Sequence, residues 1–230
     1  MVTSRDSYKT GRLSTRHSPP TTGKAAKPGL HSLGLDTLKD GLLYVPKGYD
    51  PGKPAALAVM LHGSGGDASQ GIRLLQRYAD VHNLLLIAPA SRKYSWDIVA
   101  SNSFGVDVLM VDQALAQVFA HYAIDPNKVA IGGFSDGASY ALCLGLTNGD
   151  LFTHIIAFSP GFSYTMETHG SPSVFLSHGT QDGVLPIDRC GRKIQKDLRD
   201  QGRNVHYLEF KGEHEIPAQV SAAAVDWFLK

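Results

Sequence analysis

The sequence predicts an α/β fold in which a mainly parallel, twisted sheet is covered by helices on both faces. Strand-like and helix-like stretches alternate from Gly41 to the C-terminus, and no internal repeat interrupts them. The central strand-like stretches are apolar without alternation, which is typical of parallel strands buried on both faces. Such sheets carry their sites beyond the carboxyl ends of the strands. We therefore expect the functional residues on loops that follow strands.

Composition narrows the class of protein and of partner. A chain of 230 residues is long enough for one domain with a sizeable hydrophobic core. Its formal net charge of +1 is too small to attract nucleic acid or an anionic membrane by long-range electrostatics. No apolar run approaches the ~20 residues of a membrane span. The N-terminus lacks the apolar segment of a secretory signal, so we expect a cytoplasmic protein unless a signal was removed. Composition does not indicate the oligomeric state.

Residues 1–30 differ from the remainder of the chain. They are polar, mildly basic and rich in Ser, Thr, Pro and Lys, and their Pro and Gly residues interrupt regular structure. This composition predicts a flexible, solvated arm, with an edge strand near residues 12–16 as one variation and an anionic-surface tail as the alternative. Residues 31–230 are predicted to form a single domain.

The first half of that domain contains three expected strands and two expected helices. The strands are Leu42–Val45, residues 56–61 and Leu84–Ala88. Residues 71–79 and 108–122 carry apolar side chains at helical spacing, so each is expected to pack one face of a helix on the sheet.

The second half continues the alternation. A turn at residues 125–127 precedes a strand at residues 129–131, and a helix over residues 138–146 is apolar almost all round. A helix of that kind is expected in the middle of the domain. Three further strands are expected at His154–Phe158, residues 173–176 and Val205–Phe210.

Two more helices and both cysteines complete the prediction. Asp188 is expected to cap a helix that ends at Gly202, and Pro217 begins the last helix.

Cys143 and Cys190 each lie on the apolar side of a predicted helix. They are predicted to be small buried hydrophobes, with a single bridge as the alternative. The chain shows no metal-ligand spacing and no nucleic-acid platform, so neither partner is expected.

The main functional signal is Gly133-Phe134-Ser135-Asp136-Gly137, which lies between a predicted strand and a predicted helix. The order matches the G-x-S-x-G nucleophile elbow, in which a sharp turn lifts a serine hydroxyl clear of the sheet edge. Glycines flank the serine because a Cβ would clash where the backbone comes close. The pentapeptide alone is weak evidence, and its strand–turn–helix setting supports Ser135 as the nucleophile.

A serine nucleophile needs an adjacent base, and His214 is the predicted one among ten histidines. It follows the last strand and precedes the last helix, as the chain order Ser, Asp, His requires. Asp182 follows the strand at residues 173–176 and is predicted to orient the imidazole. A turn-forming role for Asp182 and the use of Asp188 as the acid are the alternatives.

Acyl transfer also needs N–H donors that face the developing oxyanion. The elbow supplies the backbone N–H of Asp136. The glycine-rich loop at residues 62–66 follows a strand, and its Ser64 N–H is the predicted second donor, with Gly63 as the alternative. The loop could also cradle a phosphate, but it lacks the G-K-[ST] ending of a P-loop.

Four motifs occur in order: Leu61-His62-Gly63, the elbow, His178-Gly179-Thr180 with Asp182, and Glu213-His214-Glu215-Ile216-Pro217. Together they resemble the bacterial phospholipase/carboxylesterase branch of the α/β-hydrolase superfamily, which is itself similar to the polyhydroxybutyrate depolymerase-like and feruloyl esterases. The resemblance runs from about Gly41 to the C-terminus. It implies an α/β-hydrolase fold, a Ser135–His214–Asp182 triad, and hydrolysis of carboxylic esters without a cofactor.

The loops offer limited information about the substrate. The connection from Ser159 to Met166 is too short for a large lid, so we expect an open cleft. Four residues on loops at the site edge are candidate walls for the acyl chain or aryl alcohol of a small or medium soluble ester: Trp96, Phe104, Phe162 and Leu185. The alternative for each of them is a place in the core.

The sequence is also compatible with other functions. A serine peptidase, amidase or thioesterase would use the same triad, although peptide-cleaving relatives usually carry a gating domain that the sequence does not show. A binding module with a relic triad is the third possibility. The intact Ser, His and Asp argue against it.

Overall fold

The computed structural model describes residues 7–21 and 27–230. The strands within them are β1 (Gly29–Ser32), β2 (Leu42–Val45), β3 (Ala55–Leu61), β4 (Leu84–Ala88), β5 (Ile124–Phe134), β6 (His154–Phe158), β7 (Ser173–Gly179) and β8 (Val205–Phe210). The helices are α1 (Ala68–Arg73), α2 (Gln76–His82), α3 (Asp97–Ser101), α4 (Val106–His121), α5 (Asp136–Thr147), α6 (Gly191–Asp200) and α7 (Ala218–Leu229).

The strands form one sheet in the order β1-β2-β4-β3-β5-β6-β7-β8. The pairs β1–β2 and β2–β4 are antiparallel, and every other pair is parallel. The predicted mainly parallel sheet is therefore confirmed. Antiparallel pairing is confined to one edge of the sheet.

The central strand β3 shows why the sheet is buried on both faces. All seven of its residues are buried. Leu57, Val59 and Leu61 pack in a core with side chains of α4, α5 and α6, while Ala58 and Met60 pack with α1, α2 and α7 on the opposite face. Side chains alternate along a strand, so an apolar residue is needed at every position.

The register of the parallel strands brings the predicted site loops together. Leu61 at the end of β3 pairs with Gly133 on β5, and Phe134 pairs with Phe158 on β6. Gly179 at the end of β7 pairs with Phe210 on β8. The carboxyl ends of these strands lie at one edge of the sheet. The loops that carry residues 62–66, Ser135, Asp182 and His214 therefore leave the sheet on the same side.

Two helix predictions are wrong in detail. The single helix expected over residues 71–79 is divided into α1 and α2, because Leu75 has a non-helical φ of −127° and is fully buried at the break. The expected cap Asp188 does not cap α6, which begins at Gly191 after Cys190. Asp188 instead forms an ion pair of 2.8 Å with Arg192.

The strands also differ from the prediction at two places. The turn expected at residues 125–127 lies inside β5, where the pairing with β3 shifts register between Ala55 and Leu57. The Asn127 N–H donates to Asp125 Oδ1 over 2.9 Å, so a local turn-like contact persists within the strand. The edge strand β1 was not predicted at all.

The described part of the N-terminal segment, residues 7–21, packs on the domain instead of forming a solvated arm. Leu13 is 1% exposed, and its N–H donates to Asn148 Oδ1 over 2.9 Å. Arg12 forms an ion pair with Asp150, with Nη1 2.6 Å from Oδ1. The segment has no strand near residues 12–16, because side-chain acceptors of the domain take up its backbone donors. The division into residues 1–30 and 31–230 stays a prediction.

Candidate active site

Ser135 occupies a strained turn between β5 and α5. Its φ of 57° and ψ of −121° are unusual for a residue with a side chain. The turn is held because the Ser135 N–H donates to the Phe158 carbonyl over 3.0 Å. The elbow also needs its glycines: a Cβ on Gly137 would overlap the carbonyl of Leu61. This close passage of β3 beside α5 explains the flanking glycine of the motif.

Ser135, His214 and Asp182 form a continuous hydrogen-bonded line. His214 Nε2 lies 2.9 Å from Ser135 Oγ, and His214 Nδ1 lies 2.7 Å from Asp182 Oδ2. The carboxylate accepts from the Nδ1–H group, so Nε2 is free to accept the hydroxyl proton. Ser135 is 9% exposed and the Asp182 side chain is fully buried. The structure thus brings the three predicted residues together with the geometry that nucleophile activation requires.

Asp182 stays ionised although it is buried. Burial by itself would raise its pKa, but the Leu185 N–H, the His214 ring and the Val184 N–H outweigh this effect and lower the pKa. The two N–H groups donate to Oδ1 over 2.7 Å and 2.9 Å, and Oδ2 is left for the imidazole. A buried carboxylate that accepts several N–H groups is stabilised in its charged form.

His178, which the sequence analysis named only as part of a motif with Asp182, is a buried neighbour of that carboxylate. Its Nε2–H donates to the Leu185 carbonyl over 2.7 Å, and the same nitrogen lies 3.3 Å from Asp182 Oδ2. Burial lowers the pKa of His178, so the ring is neutral there. It therefore holds the 182–185 turn without competing with His214 for the proton.

The glycine-rich loop lies directly beside Ser135. A Cβ added to Gly63 would be 3.5 Å from both the Phe134 carbonyl oxygen and Ser135 Cβ. Within the loop, the Gly65 N–H donates to the Tyr94 carbonyl over 2.8 Å, and the Gly66 N–H donates to the Gly63 carbonyl over 3.1 Å. These bonds use the last two N–H groups of the loop, so Gly63 and Ser64 are its candidate donors to a substrate.

The structure separates the four candidate wall residues into two pairs. Trp96 is fully buried and Phe104 is 5% exposed, so the prediction that they line an open cleft is wrong for both. Phe162 and Leu185 are half-buried on loops after β6 and β7. Large aromatic residues on loops fill the core whenever a helix packs over them, and sequence position alone does not reveal this.

Phe162 faces a pocket that sequence analysis did not anticipate. The pocket has a volume of about 300 Å³ and lies between α3 and the connection from β6 to β7; its lining residues are Ile98, Val99, Asn102, Phe162 and Tyr164. The loop is tied to α5 because Ser139 Oγ accepts the Gly161 N–H over 2.9 Å. Tyr164 was missed because an exposed loop tyrosine carries no motif. Its position after a strand of the site edge was the available signal.

Both cysteines are buried and unpaired, which confirms their prediction as small hydrophobes. Burial raises the pKa of the Cys143 thiol to about 12.

Within residues 7–21 and 27–230, no group of three or more His, Cys, Asp or Glu side chains is arranged to hold a metal ion. None of the helices described there combines the length and apolar character that a membrane span requires. The cytoplasmic location stays a prediction.

A nucleophile elbow in a mainly parallel sheet, followed in chain order by an acid and a histidine, defines a serine hydrolase of the α/β-hydrolase class. The model of the phospholipase/carboxylesterase family matches residues 100–230, which is more than half of the chain, and the protein belongs to that family. It is a hydrolase of carboxylic esters.

Curated relatives and solved structures agree with this class. A probable feruloyl esterase C from Aspergillus flavus is 27% identical over 186 residues, which cover 76% of this chain and 67% of the relative. Feruloyl esterase C from Emericella nidulans is 27% identical over 189 residues, with 77% and 68% covered.

The fold is shared with several solved esterases. The structure of esterase PE8 aligns with a TM-score of 0.67 at 24% identity, over 80% of this chain and 95% of that one. A phospholipase/carboxylesterase from Dyadobacter fermentans aligns with a TM-score of 0.63 at 22% identity, over 95% and 100% of the two chains. At these identities the likeness shows the fold alone.

Proposed function

We propose that Ser135 is the nucleophile, His214 the general base and Asp182 the orienting acid of this esterase. Ser135 Oγ attacks the ester carbonyl while His214 Nε2 takes its proton, and the imidazolium then protonates the leaving alcohol. Water releases the acid from the acyl-enzyme by the same proton transfers in reverse. The observation that supports this assignment is the line of two hydrogen bonds, 2.9 Å and 2.7 Å long, through the histidine ring.

The backbone N–H groups of Ser64 and Asp136 are proposed to bind the oxyanion. Asp136 begins α5, so its N–H points out of the helix N-terminus, where the partial charge is positive. The loop that carries Ser64 lies against the nucleophile. Removal of one such donor lowers kcat by about 10²–10³ in serine hydrolases, so the pair is expected to supply a large part of the rate enhancement.

For the substrate we propose small to medium soluble esters with an aromatic acid group that enters the pocket beside Phe162 and Tyr164. An aromatic ring suits this pocket because both side chains offer flat apolar surface. Residues 159–172 contain no helix, so the described connection carries no helical lid over the site. The names of the curated relatives support an aromatic acid such as ferulate.

The nucleophile is tested with a panel of p-nitrophenyl esters, methyl ferulate, an aminoacyl anilide and an acyl thioester. We expect the wild-type protein to turn over the oxygen esters fastest, and Ser135→Ala to abolish turnover and labelling by a fluorophosphonate probe. Turnover that is unchanged in Ser135→Ala would refute the assignment. Anilide or thioester turnover above that of every oxygen ester would favour an amidase or a thioesterase.

The pocket is tested separately with Tyr164→Ala. We expect a higher KM for methyl ferulate and little change for p-nitrophenyl acetate, since only the aromatic acid reaches the pocket. Met166→Ala is the matched control, because Met166 is 61% exposed and does not line the pocket. An equal effect of Tyr164→Ala on both esters would contradict an aromatic subsite at this position.

A further inference from the structure

The two proposed oxyanion donors lie on separate segments, and a third segment contacts both of them. Ser64 belongs to the loop after β3, and Asp136 begins α5. Residues 91–97, which follow β4 and which we call the bracket, are hydrogen-bonded to both segments. Oxyanion stabilisation depends on donors that are fixed before the charge develops, so whatever holds these segments influences the rate.

On one side, His62 orients the peptide group that carries the Ser64 N–H. Its Nε2 accepts the Ser91 N–H of the bracket over 3.1 Å, which leaves the proton on Nδ1. That Nδ1–H donates to the Gly63 carbonyl over 2.7 Å. The Gly63 carbonyl and the Ser64 N–H belong to one planar peptide unit, so fixing the carbonyl also fixes the direction of the N–H.

Three consecutive bracket residues reinforce this arrangement and extend it to the elbow. The Tyr94 carbonyl accepts the Gly65 N–H over 2.8 Å, and the Trp96 indole N–H donates to the His62 carbonyl over 2.9 Å. Between them, the Ser95 hydroxyl donates to Asp136 Oδ2 over 2.6 Å. Together with the bond from the Ser91 N–H to His62, the bracket therefore makes three hydrogen bonds to the glycine-rich loop and one to Asp136.

The bracket itself is anchored by two buried carboxyl groups. Asp107 accepts the Arg92 N–H over 2.8 Å and the Asp97 N–H over 2.9 Å, and Asp97 accepts the Asp107 N–H over 3.1 Å. Asp107 is 1% exposed. These bonds fix both ends of the bracket to the start of α4.

The Trp96 ring completes the anchor. It stacks on Tyr140 with centroids 5.1 Å apart and lies against His62 at 4.8 Å. Because Trp96 is fully buried, its indole N–H has a single defined direction. Because the ring is held on both faces, the indole N–H fixes the His62 carbonyl, and with it the glycine-rich loop, relative to the bracket.

We propose that Trp96 and Ser95 are positioning residues that set the separation of the two oxyanion donors. The inference rests on the proposed oxyanion hole. Neither side chain is expected to touch the substrate, and each acts through a donor that does. Their loss should therefore weaken binding of the transition state more than binding of the ester.

The test uses Trp96→Phe, which keeps an aromatic ring between His62 and Tyr140 but removes the indole N–H. For p-nitrophenyl acetate we expect kcat to fall by about 10- to 100-fold, less than the loss of a whole donor, with KM within about twofold. The inhibition constant of phenylboronic acid, whose adduct on Ser135 is tetrahedral, should rise by the same factor. Trp227→Phe is the matched control: it changes the other tryptophan, which packs on His154 and Phe175.

A second variant keeps the test decisive if Trp96→Phe fails to fold. Ser95→Ala removes only the hydroxyl that binds Asp136, and we expect the same split between kcat and KM. Full kcat in a folded Trp96→Phe or Ser95→Ala protein would overturn the proposal, as would a rise in KM alone. If Ser135→Ala retains wild-type turnover, the proposed function itself has failed, whereas full activity of the bracket variants with an inactive Ser135→Ala overturns the bracket only.

Discussion

Replacement of Asp182 by asparagine tests the role of the buried acid most directly. In the wild-type protein, Oδ1 accepts two backbone N–H groups and Oδ2 accepts the His214 Nδ1–H. In Asp182→Asn, the amide oxygen can keep the two backbone bonds, and the amide NH₂ then faces His214. Two donors would meet there, so the ring must move its proton to Nε2 and can no longer accept the proton of Ser135.

The expected magnitude follows from this change of tautomer. A serine hydrolase whose histidine is held in the wrong tautomer loses about 10⁴ in kcat, and a factor of 10⁴ corresponds to about 5.4 kcal/mol of activation free energy. The fold should tolerate the substitution, because shape and the backbone bonds are preserved. We expect the melting temperature to change by a few degrees only, which corresponds to about 1 kcal/mol for a domain of this size.

The assay measures kcat for p-nitrophenyl acetate near neutral pH, together with thermal unfolding followed by circular dichroism. Asp188→Asn is the matched control, because Asp188 lies on the same connection, is 78% exposed and pairs with Arg192. A folded Asp182→Asn protein that keeps more than about a tenth of the wild-type kcat would refute the reasoning. So would a larger loss in Asp188→Asn, since Asp188 would then be the acid.

Three further predictions concern packing and pH. Leu13→Ala should lower the free energy of unfolding by about 2–4 kcal/mol, and an unchanged urea midpoint would show that the N-terminal segment does not pack in solution. Gly137→Ala should abolish esterase activity and lower the melting temperature through overlap with Leu61, whereas Gly48→Ala, with open space around it, should do neither. Burial raises the pKa of Asp107 to about 6 from 3.8. The folded state therefore binds this proton more tightly, and up to about 3 kcal/mol of stability is present below pH 3.8 and lost as pH rises through 6. Burial also raises the pKa of the neighbouring Asp97, so urea unfolding from pH 4 to 7 should show this fall in the wild-type protein and a shallower fall in Asp107→Asn; parallel curves would contradict it.

The catalytic candidates were predictable because each depends on local pattern and chain order. The elbow pentapeptide is contiguous, so Ser135 could be found from neighbouring residues alone. Asp182 and His214 could be proposed because each follows a predicted strand of the sheet. Parallel strands end at one edge, so residues on successive loops converge whatever the loops contain. The pairing of Gly179 with Phe210 places the ends of β7 and β8, and so the loops of Asp182 and His214, side by side.

Several features could not be predicted, since each depends on contacts between distant segments. Polar composition suggested a solvated arm, but Leu13 is buried because Asn148 and its neighbours offer partners for its backbone. Trp96 looked like a cleft wall because it lies on a loop at the site edge. Its burial depends on α5, whose Tyr140 covers one face of the ring. Sequence pattern reports which residues are apolar and does not report what covers them.

The sequence by itself determined the class of fold, the reaction class and the chain order of the candidate nucleophile, acid and base. Buried parallel strands require continuous apolar runs, and polar residues are left to the loops between them. Only the tertiary structure decided the distances, the tautomers of His214 and His62, and the bracket around the oxyanion donors. Ser135 and His214 are 79 residues apart, and Trp96 and His62 are 34 apart. Hydrogen bonds of about 3 Å between such positions depend on the packing of the whole sheet and its helices, which no local pattern encodes.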